Sequence, residues 1–236
     1  MASLSALLHL MLRSNATRGR VLGLSLVGLV GALLGLAVGL SESSTTADGA
    51  ELVSVYGLAV IVPVTTLVFA TAALGDFRED ETLVYVWLRP VRRTIIAEAA
   101  VLSAVTTALP ITLASVALTA ALATRDADVV LASVVATAVG VLAYSGLFVA
   151  LGLQIRRALV AGLAYILIWE GFIAAVGGGP AYLSIRFYTR TLLAEVSGVP
   201  LERTGDSLAV AVVVPLVVAA LGLGYTTWRL RRQDIE

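Results

Sequence analysis

Long apolar stretches dominate this sequence and limit what the chain can fold into. Six stretches each carry enough apolar residues to cross about 30 Å of hydrocarbon as a helix. They span residues 21–40, 52–74, 95–123, 129–153, 158–176 and 208–228. In lipid every backbone polar group must pair within the protein, so only helices and closed barrels cross a bilayer. The stretches lack the alternation of barrel strands and therefore predict an all-α membrane protein with six transmembrane helices.

The arginine distribution predicts the orientation of these helices. If the N-terminus is cytoplasmic, 12 of the 16 arginines fall on the cytoplasmic side. The opposite side keeps only Arg125, Arg186, Arg190 and Arg203. Because cytoplasmic loops are enriched in arginine and lysine, both termini are expected in the cytoplasm, with the chain in the cytoplasmic (inner) membrane. The alanine-rich, lysine-free composition favours a prokaryotic source.

Residues 1–19, before the first apolar stretch, predict a short amphipathic helix on the inner membrane surface. Apolar side chains recur there near helical spacing, at Leu4, Leu7, Leu8, Met11 and Leu12. Polar side chains lie opposite them, at Ser5, His9 and Arg13. An unstructured, weakly amphipathic tail is the alternative. A cleaved signal peptide is disfavoured, because the apolar run that follows is longer than the usual core of 7–15 residues.

The missing residue types exclude several classes of chemistry. The chain has no cysteine and no lysine, and His9 is its only histidine. Disulfides, thiolate metal sites, histidine triads and a P-loop lysine are therefore excluded within this chain. The arginines do not form one basic face, so no nucleic-acid partner is expected.

The loop at residues 76–93 is the most informative polar segment. Its acidic residues come first and its arginines last, which suits the dipole of a short helix from about 79 to 88, ended by Pro90. Residues 83–88 are all apolar or aromatic, which on a cytoplasmic loop indicates a docking surface. An inner-leaflet anchor made by Tyr85 and Trp87 is the alternative. The candidate docking residues are Glu79, Asp80, Glu81, Thr82, Leu83, Tyr85, Trp87, Leu88, Arg89, Pro90, Arg92 and Arg93.

This loop resembles that of the ABC-2 type permeases, the membrane subunits of ATP-binding cassette exporters. The resemblance rests on Glu-Asp-Glu-Thr-Leu at 79–83, on Leu-Arg-Pro-Val-Arg-Arg at 88–93, and on the N-terminal helix before the first span. It implies that the loop is a coupling helix, which fits a groove of the nucleotide-binding subunit. One departure is Ala97-Glu98, where many members carry Gly-Lys, so contacts there are expected to differ.

A second part of the resemblance lies at Ile168-Trp169-Glu170-Gly171, followed by Tyr182-Leu183-Ser184 and Tyr188. It is similar to the fifth span and external segment of many such permeases. The run Gly177-Gly178-Gly179-Pro180 breaks the fifth helix, and the aromatic and apolar residues after it predict one short helix within an external segment at 177–207. The resemblance implies a partly re-entrant helix, and an ordinary interfacial loop is the alternative.

Glu170 is the one acidic residue deep in a predicted span, mid-way along the fifth stretch. A carboxylate there is costly unless it is protonated, paired or in contact with water. It is a candidate for lining a pathway or relaying protons. The alternative is a hydrogen bond inside the bundle, with Thr137, Tyr144 or Ser145 as the expected partners.

Together these features predict a transport subunit without its own motor. The expected function is export by ATP-driven alternating access, with ATP and Mg bound to separate ATPase subunits and no cofactor or catalytic site in this chain. A second permease copy or a homologous permease would complete the pathway. The alternatives are a proton-coupled carrier that uses Glu170 and a non-transporting scaffold or maturation factor.

Overall fold

The computed structural model describes residues 2–79, 92–174, 179–202, 204–205 and 207–232. Every regular element within these ranges is a helix. The α-helices are α1 (Ala2–Asn15), α2 (Arg18–Gly39), α3 (Thr46–Leu52), α4 (Val62–Glu79), α5 (Arg93–Thr124), α6 (Ala127–Gln154), α7 (Ala158–Ala164), α8 (Ile185–Ser197) and α9 (Leu208–Arg232). A π-helical segment, Val53–Ile61, joins α3 to α4, and a second one, Tyr165–Ile173, continues α7. A short 3₁₀-helix, Gly179–Leu183, precedes α8.

Five of the described helices are long and apolar enough to cross a membrane: Arg18–Gly39, Thr46–Gly75, Arg93–Thr124, Ala127–Gln154 and Leu208–Arg232. The predicted all-helical, multi-pass architecture is therefore confirmed at this coarser level. The predicted fifth span is described as a shorter apolar helix, Ala158–Ile173. At 1.5 Å per residue it rises about 24 Å, which is less than the roughly 30 Å of a hydrocarbon core. The count of six spans stays a prediction.

Helices α5 and α6 run antiparallel, because a short turn joins them. Residues 125–126 join α5 to α6, with Arg125 in the left-handed region at φ 54° and the Asp126 side chain accepting from the backbone N–H of Asp128. At the other end, residues from α2, α4, α6 and α7 line one cavity, among them Arg20 and Arg156. We call this the Arg20 end, and the opposite one, where Glu51 pairs with Arg190, the Glu51 end.

Helix α1 packs against the bundle. Leu7 and Met11 are buried, and Nδ2 of buried Asn15 donates to the Phe69 carbonyl at 2.9 Å. Ser5, His9 and Arg13 are exposed on the opposite side of the helix. These contacts do not fit an unstructured tail. The position of α1 on a membrane surface stays a prediction.

Glycines let neighbouring helices approach closely. A Cβ added at Gly35 would lie 2.6 Å from the Thr119 carbonyl oxygen, and one at Gly39 would lie 2.0 Å from that of Leu122. The four-residue glycine spacing in α2 therefore forms a contact with α5 inside the bundle. The contact between α6 and α9 has the same character, since a Cβ at Gly222 would lie 2.3 Å from the carbonyl oxygen of Gly146.

Candidate functional site

Most of the predicted docking residues lie outside the described residues: Asp80, Glu81, Thr82, Leu83, Tyr85, Trp87, Leu88, Arg89 and Pro90. Of the others, Glu79 ends α4, Arg92 is the N-cap of α5 and Arg93 is its first residue. Gly75, one turn before the end of α4, lines the same cavity as Arg20. The link between α4 and α5 therefore starts at the Arg20 end, and the predicted coupling helix within it stays a prediction.

The second predicted site residue, Glu170, is 3% exposed and accepts four hydrogen bonds. Its Oε1 accepts from the Tyr165 hydroxyl at 3.0 Å and from the backbone N–H of Ile185 at 3.1 Å. Its Oε2 accepts from the Ser184 hydroxyl at 2.5 Å and from the backbone N–H of Arg186 at 3.2 Å. Each carboxylate oxygen thus faces one side-chain donor and one backbone donor.

Two local structures bring these donors together. Tyr165 and Glu170 are five residues apart, and the i→i+5 register of the second π-segment places such residues near the same face. Ser184 is the N-cap of α8, and its hydroxyl also accepts from the backbone N–H of Phe187 at 3.3 Å. The first amides of a helix have no partner within it, and its N-terminus favours negative charge. Glu170 therefore binds the start of α8.

The two sequence segments that carry the second part of the resemblance contact each other here. Besides the bonds to Glu170, Trp169 Nε1 donates to the Leu183 carbonyl at 3.4 Å. The Tyr188 hydroxyl closes the turn before α8 by donating to the Tyr182 carbonyl at 2.7 Å. The second π-segment and residues 182–188 thus form one hydrogen-bonded unit.

The sequence predicted a hydrogen-bonded Glu170 with Thr137, Tyr144 or Ser145 as partner. The buried hydroxyls of Thr137 and Ser145 have no hydrogen-bond partner among the described residues, and that of Tyr144 makes no bond of good geometry, although it interacts electrostatically with Glu170. The groups within hydrogen-bond distance of Glu170 are Tyr165, Ser184 and two amides of α8. The glycine run at 177–179 was the available signal in the sequence, because glycine-rich runs favour turns.

Charged groups surround the start of α8 at the Glu51 end. Nη2 of Arg190 lies 2.6 Å from Oε2 of Glu51, which ties α8 to α3. Burial, followed by the charge of Arg190, lowers the pKa of Arg186, and the carboxylates of Glu170 and Glu51 oppose that shift. No three His, Asp or Glu side chains of the described ranges converge in a way that could hold a metal ion. The ion pair between Arg190 and Glu51, together with the hydrogen bonds to Glu170, is suited to holding α8 in place.

The helix predicted after the glycine run is found as α8, which ends at Gly198 with φ 70°. Its position outside the membrane stays a prediction. Neither a protein-family model nor a curated protein matches this chain. The resemblance to ABC-2 type permeases therefore rests on the residues given for it above.

Proposed function

We propose that this chain is the membrane-spanning subunit of an ATP-binding cassette exporter. It moves a substrate across the cytoplasmic membrane by alternating access, and it pairs with a second copy of itself or with a homologous permease. Support comes from the antiparallel apolar helices, from the helix α1 that precedes them, and from the permease-like sequence at 79–83 and 88–93.

The link between α4 and α5 is the observation that carries this proposal. The other described turns at the Arg20 end are short, at residues 16–17 and 155–157. The α4–α5 link covers residues 80–92 and so offers a soluble partner far more chain to bind. It is also the segment with consecutive apolar residues at 83–88. An ATPase subunit that binds there could tilt α4 and α5 together, because both begin or end at the link.

The energy must come from another chain under this proposal. A P-loop binds phosphates through a lysine, and this sequence has none. ATP and Mg would therefore bind to the partner ATPase subunits, and this chain would not be an enzyme. ATP shifts the transporter between its two states only if it binds one of them more tightly.

The surroundings of Glu170 favour the exporter over a proton-coupled carrier. A proton relay needs an acceptor that can exchange partners, whereas both oxygens of Glu170 accept from two donors each. Two of those donors are backbone amides at a helix start, which cannot rotate away. In the exporter, Glu170 would fix α8 across the outer end of the bundle.

The test is ATPase activity and flux of the reconstituted complex. Leu83→Asp and Trp87→Asp place a charge in the apolar sequence at 83–88 and are expected to abolish both co-purification of the ATPase and its stimulation. Leu40→Asp is the control, because Leu40 is 65% exposed and lies at the opposite end, just after α2. Unchanged assembly and turnover in both link variants would refute the coupling role. Flux driven by a pH gradient without ATP, lost in Glu170→Gln, would establish the carrier instead.

A further inference from the structure

Two adjoining cavities lie between α8 and α9 at the Glu51 end. The larger, about 250 Å³, is lined by aromatic rings and hydroxyls that include Tyr182, Phe187, Tyr188, Thr191, Thr204 and Ser207. The smaller, about 100 Å³, is lined by Tyr182, Tyr188, Leu183, Val214, Pro215 and Val218 among others. Tyr182 and Tyr188 belong to both linings, so one ligand can contact both cavities.

The polarity of the lining changes along α9. The larger cavity lies beside Ser207, at the start of the helix, and it carries the hydroxyls of Thr191, Thr204 and Ser207. The smaller one lies beside Val214 and Val218, about 10 to 16 Å further along the helix axis than Ser207, and α9 contributes only apolar side chains to it. Polar groups near the end of α9 and apolar groups further along it match the fall in polarity from the surface of one bilayer leaflet to its hydrocarbon core.

The aromatic walls are held in place and one hydroxyl is available. The Phe187 ring packs edge-on against Tyr182 and Tyr188, with centroids 5.2 and 5.3 Å apart. Thr191 is already engaged, since its hydroxyl accepts from the backbone N–H of Gly205 at 2.8 Å. Among the described residues, the contact found for the Thr204 hydroxyl is a long one of 3.4 Å to the Leu201 carbonyl. This hydroxyl can turn towards a ligand at little cost.

The described lining of both cavities carries no charged side chain. Against this described lining a charged head group would lose its hydration without gaining an ionic partner, which is strongly unfavourable. Dry apolar cavities of about 150 Å³ bind benzene. The larger cavity exceeds that volume, and the smaller one, about 100 Å³, holds a shorter piece of hydrocarbon. Leu183 and Val210 flank the cavities and are 70% and 49% exposed, which gives apolar molecules a route from the lipid side.

We propose that these cavities bind an uncharged amphiphile from the outer leaflet. Its hydroxyl-bearing head group lies in the larger cavity near Thr204, and its hydrocarbon enters the smaller cavity beside Pro215. A monoacylglycerol has this chemistry. The site would bind such a molecule whether or not the chain exports it.

The probe is a monoacylglycerol with a photoreactive diazirine in its acyl chain, added to the purified full chain in phosphatidylcholine nanodiscs. Crosslinks are expected within residues 182–188 and 207–218, and unlabelled monoolein should compete at least tenfold better than oleate or phosphatidylglycerol. Val214→Trp fills the smaller cavity and should reduce labelling about tenfold. Val213→Trp is the matched control. Val213 is the neighbour of Val214 in α9, is 55% exposed and lines neither cavity.

Thr204→Val tests the head-group contact without filling the cavity, and it should weaken binding several-fold with little change in thermal stability. Equal competition by oleate would overturn the uncharged specificity. Labelling spread evenly over the exposed faces of α2 and α9, or equal in Val214→Trp and Val213→Trp, would overturn the site itself.

Discussion

Replacing Glu170 should release α8 from the second π-segment and lower stability by a large amount. In Glu170→Ala the backbone N–H groups of Ile185 and Arg186 lose their acceptor, and so does the Ser184 hydroxyl. Each unsatisfied buried donor costs about 1–3 kcal/mol, so two or three of them cost roughly 4 kcal/mol. In a chain of this length that corresponds to a fall in Tm of roughly 10 °C.

Glu170→Gln should not behave as a conservative change. Each carboxylate oxygen accepts from a different amide, Oε1 from Ile185 and Oε2 from Arg186. Whichever way the glutamine amide is oriented, its NH₂ group faces a backbone N–H. We expect about half the effect of alanine, roughly 2 kcal/mol, since one good acceptor remains.

The assay is thermal unfolding of the purified protein, combined with hydrogen exchange of the amides in α8. Glu98→Gln is the control, since Glu98 is an exposed carboxylate on α5 and its loss should change stability by under about 0.5 kcal/mol. Exchange at 185–187 should rise in the Glu170 variants before the rest of the bundle is affected. Stability losses no larger than that of the control, or unchanged exchange at the start of α8, would refute the anchoring role.

Three further predictions concern contacts elsewhere. Gly39→Ala should destabilise the protein by about 1–3 kcal/mol, because the new Cβ would overlap a carbonyl of α5. Gly23→Ala is the control and should be neutral or slightly stabilising, because the space around Gly23 is open. Equal Tm values of the two variants would contradict the close α2–α5 contact. Glu51→Gln breaks the ion pair with α8 and should lower stability by under about 1 kcal/mol, because Glu51 is 44% exposed. The difference in stability from the unmutated chain should shrink at high salt. A salt-independent difference would exclude an ionic origin. Oδ2 of Asp48 accepts from the backbone N–H and the hydroxyl of Thr45, the N-cap of α3, at 2.7 and 2.8 Å, so protonation of this carboxylate in acid should weaken the start of that helix. Hydrogen exchange at 46–49 should therefore accelerate in acid in the unmutated chain but not in Asp48→Asn, and identical pH profiles would contradict this.

The apolar stretches made most of the fold predictable, because lipid leaves few alternatives for a backbone. The predicted stretch at 95–123 is found as α5, Arg93–Thr124, and that at 129–153 as α6, Ala127–Gln154. Helix α8 was also predictable from the break at 177–180 and the aromatic residues after it. A helix that can span a membrane is predictable from the length and composition of its own segment, without knowledge of the residues it contacts.

The partners of Glu170 were not predictable in the same way. Hydropathy placed Glu170 inside a uniform α-helix, where Tyr165 would lie on another face. The π register changes that relation, and nothing in residues 165–173 predicts it. The first π-segment is different, because Pro63 follows it closely and a proline ring displaces the carbonyl four residues earlier, here that of Ala59. A site formed across a chain reversal depends on such local geometry and not on periodicity.

The way the helices are held together differs between the bundle and α8. Many buried hydroxyls in the bundle donate to their own helix, as Thr66 does to Val62 and Thr119 to Ser115. Close contacts such as α2 with α5 rest on packing of small residues, and packing contacts of this kind can shift without breaking a hydrogen bond. Displacing α8 from the second π-segment would break four hydrogen bonds, three of them to the Glu170 carboxylate. Any motion of the spans that the exporter proposal requires is therefore cheaper between the glycine-packed helices than at the start of α8.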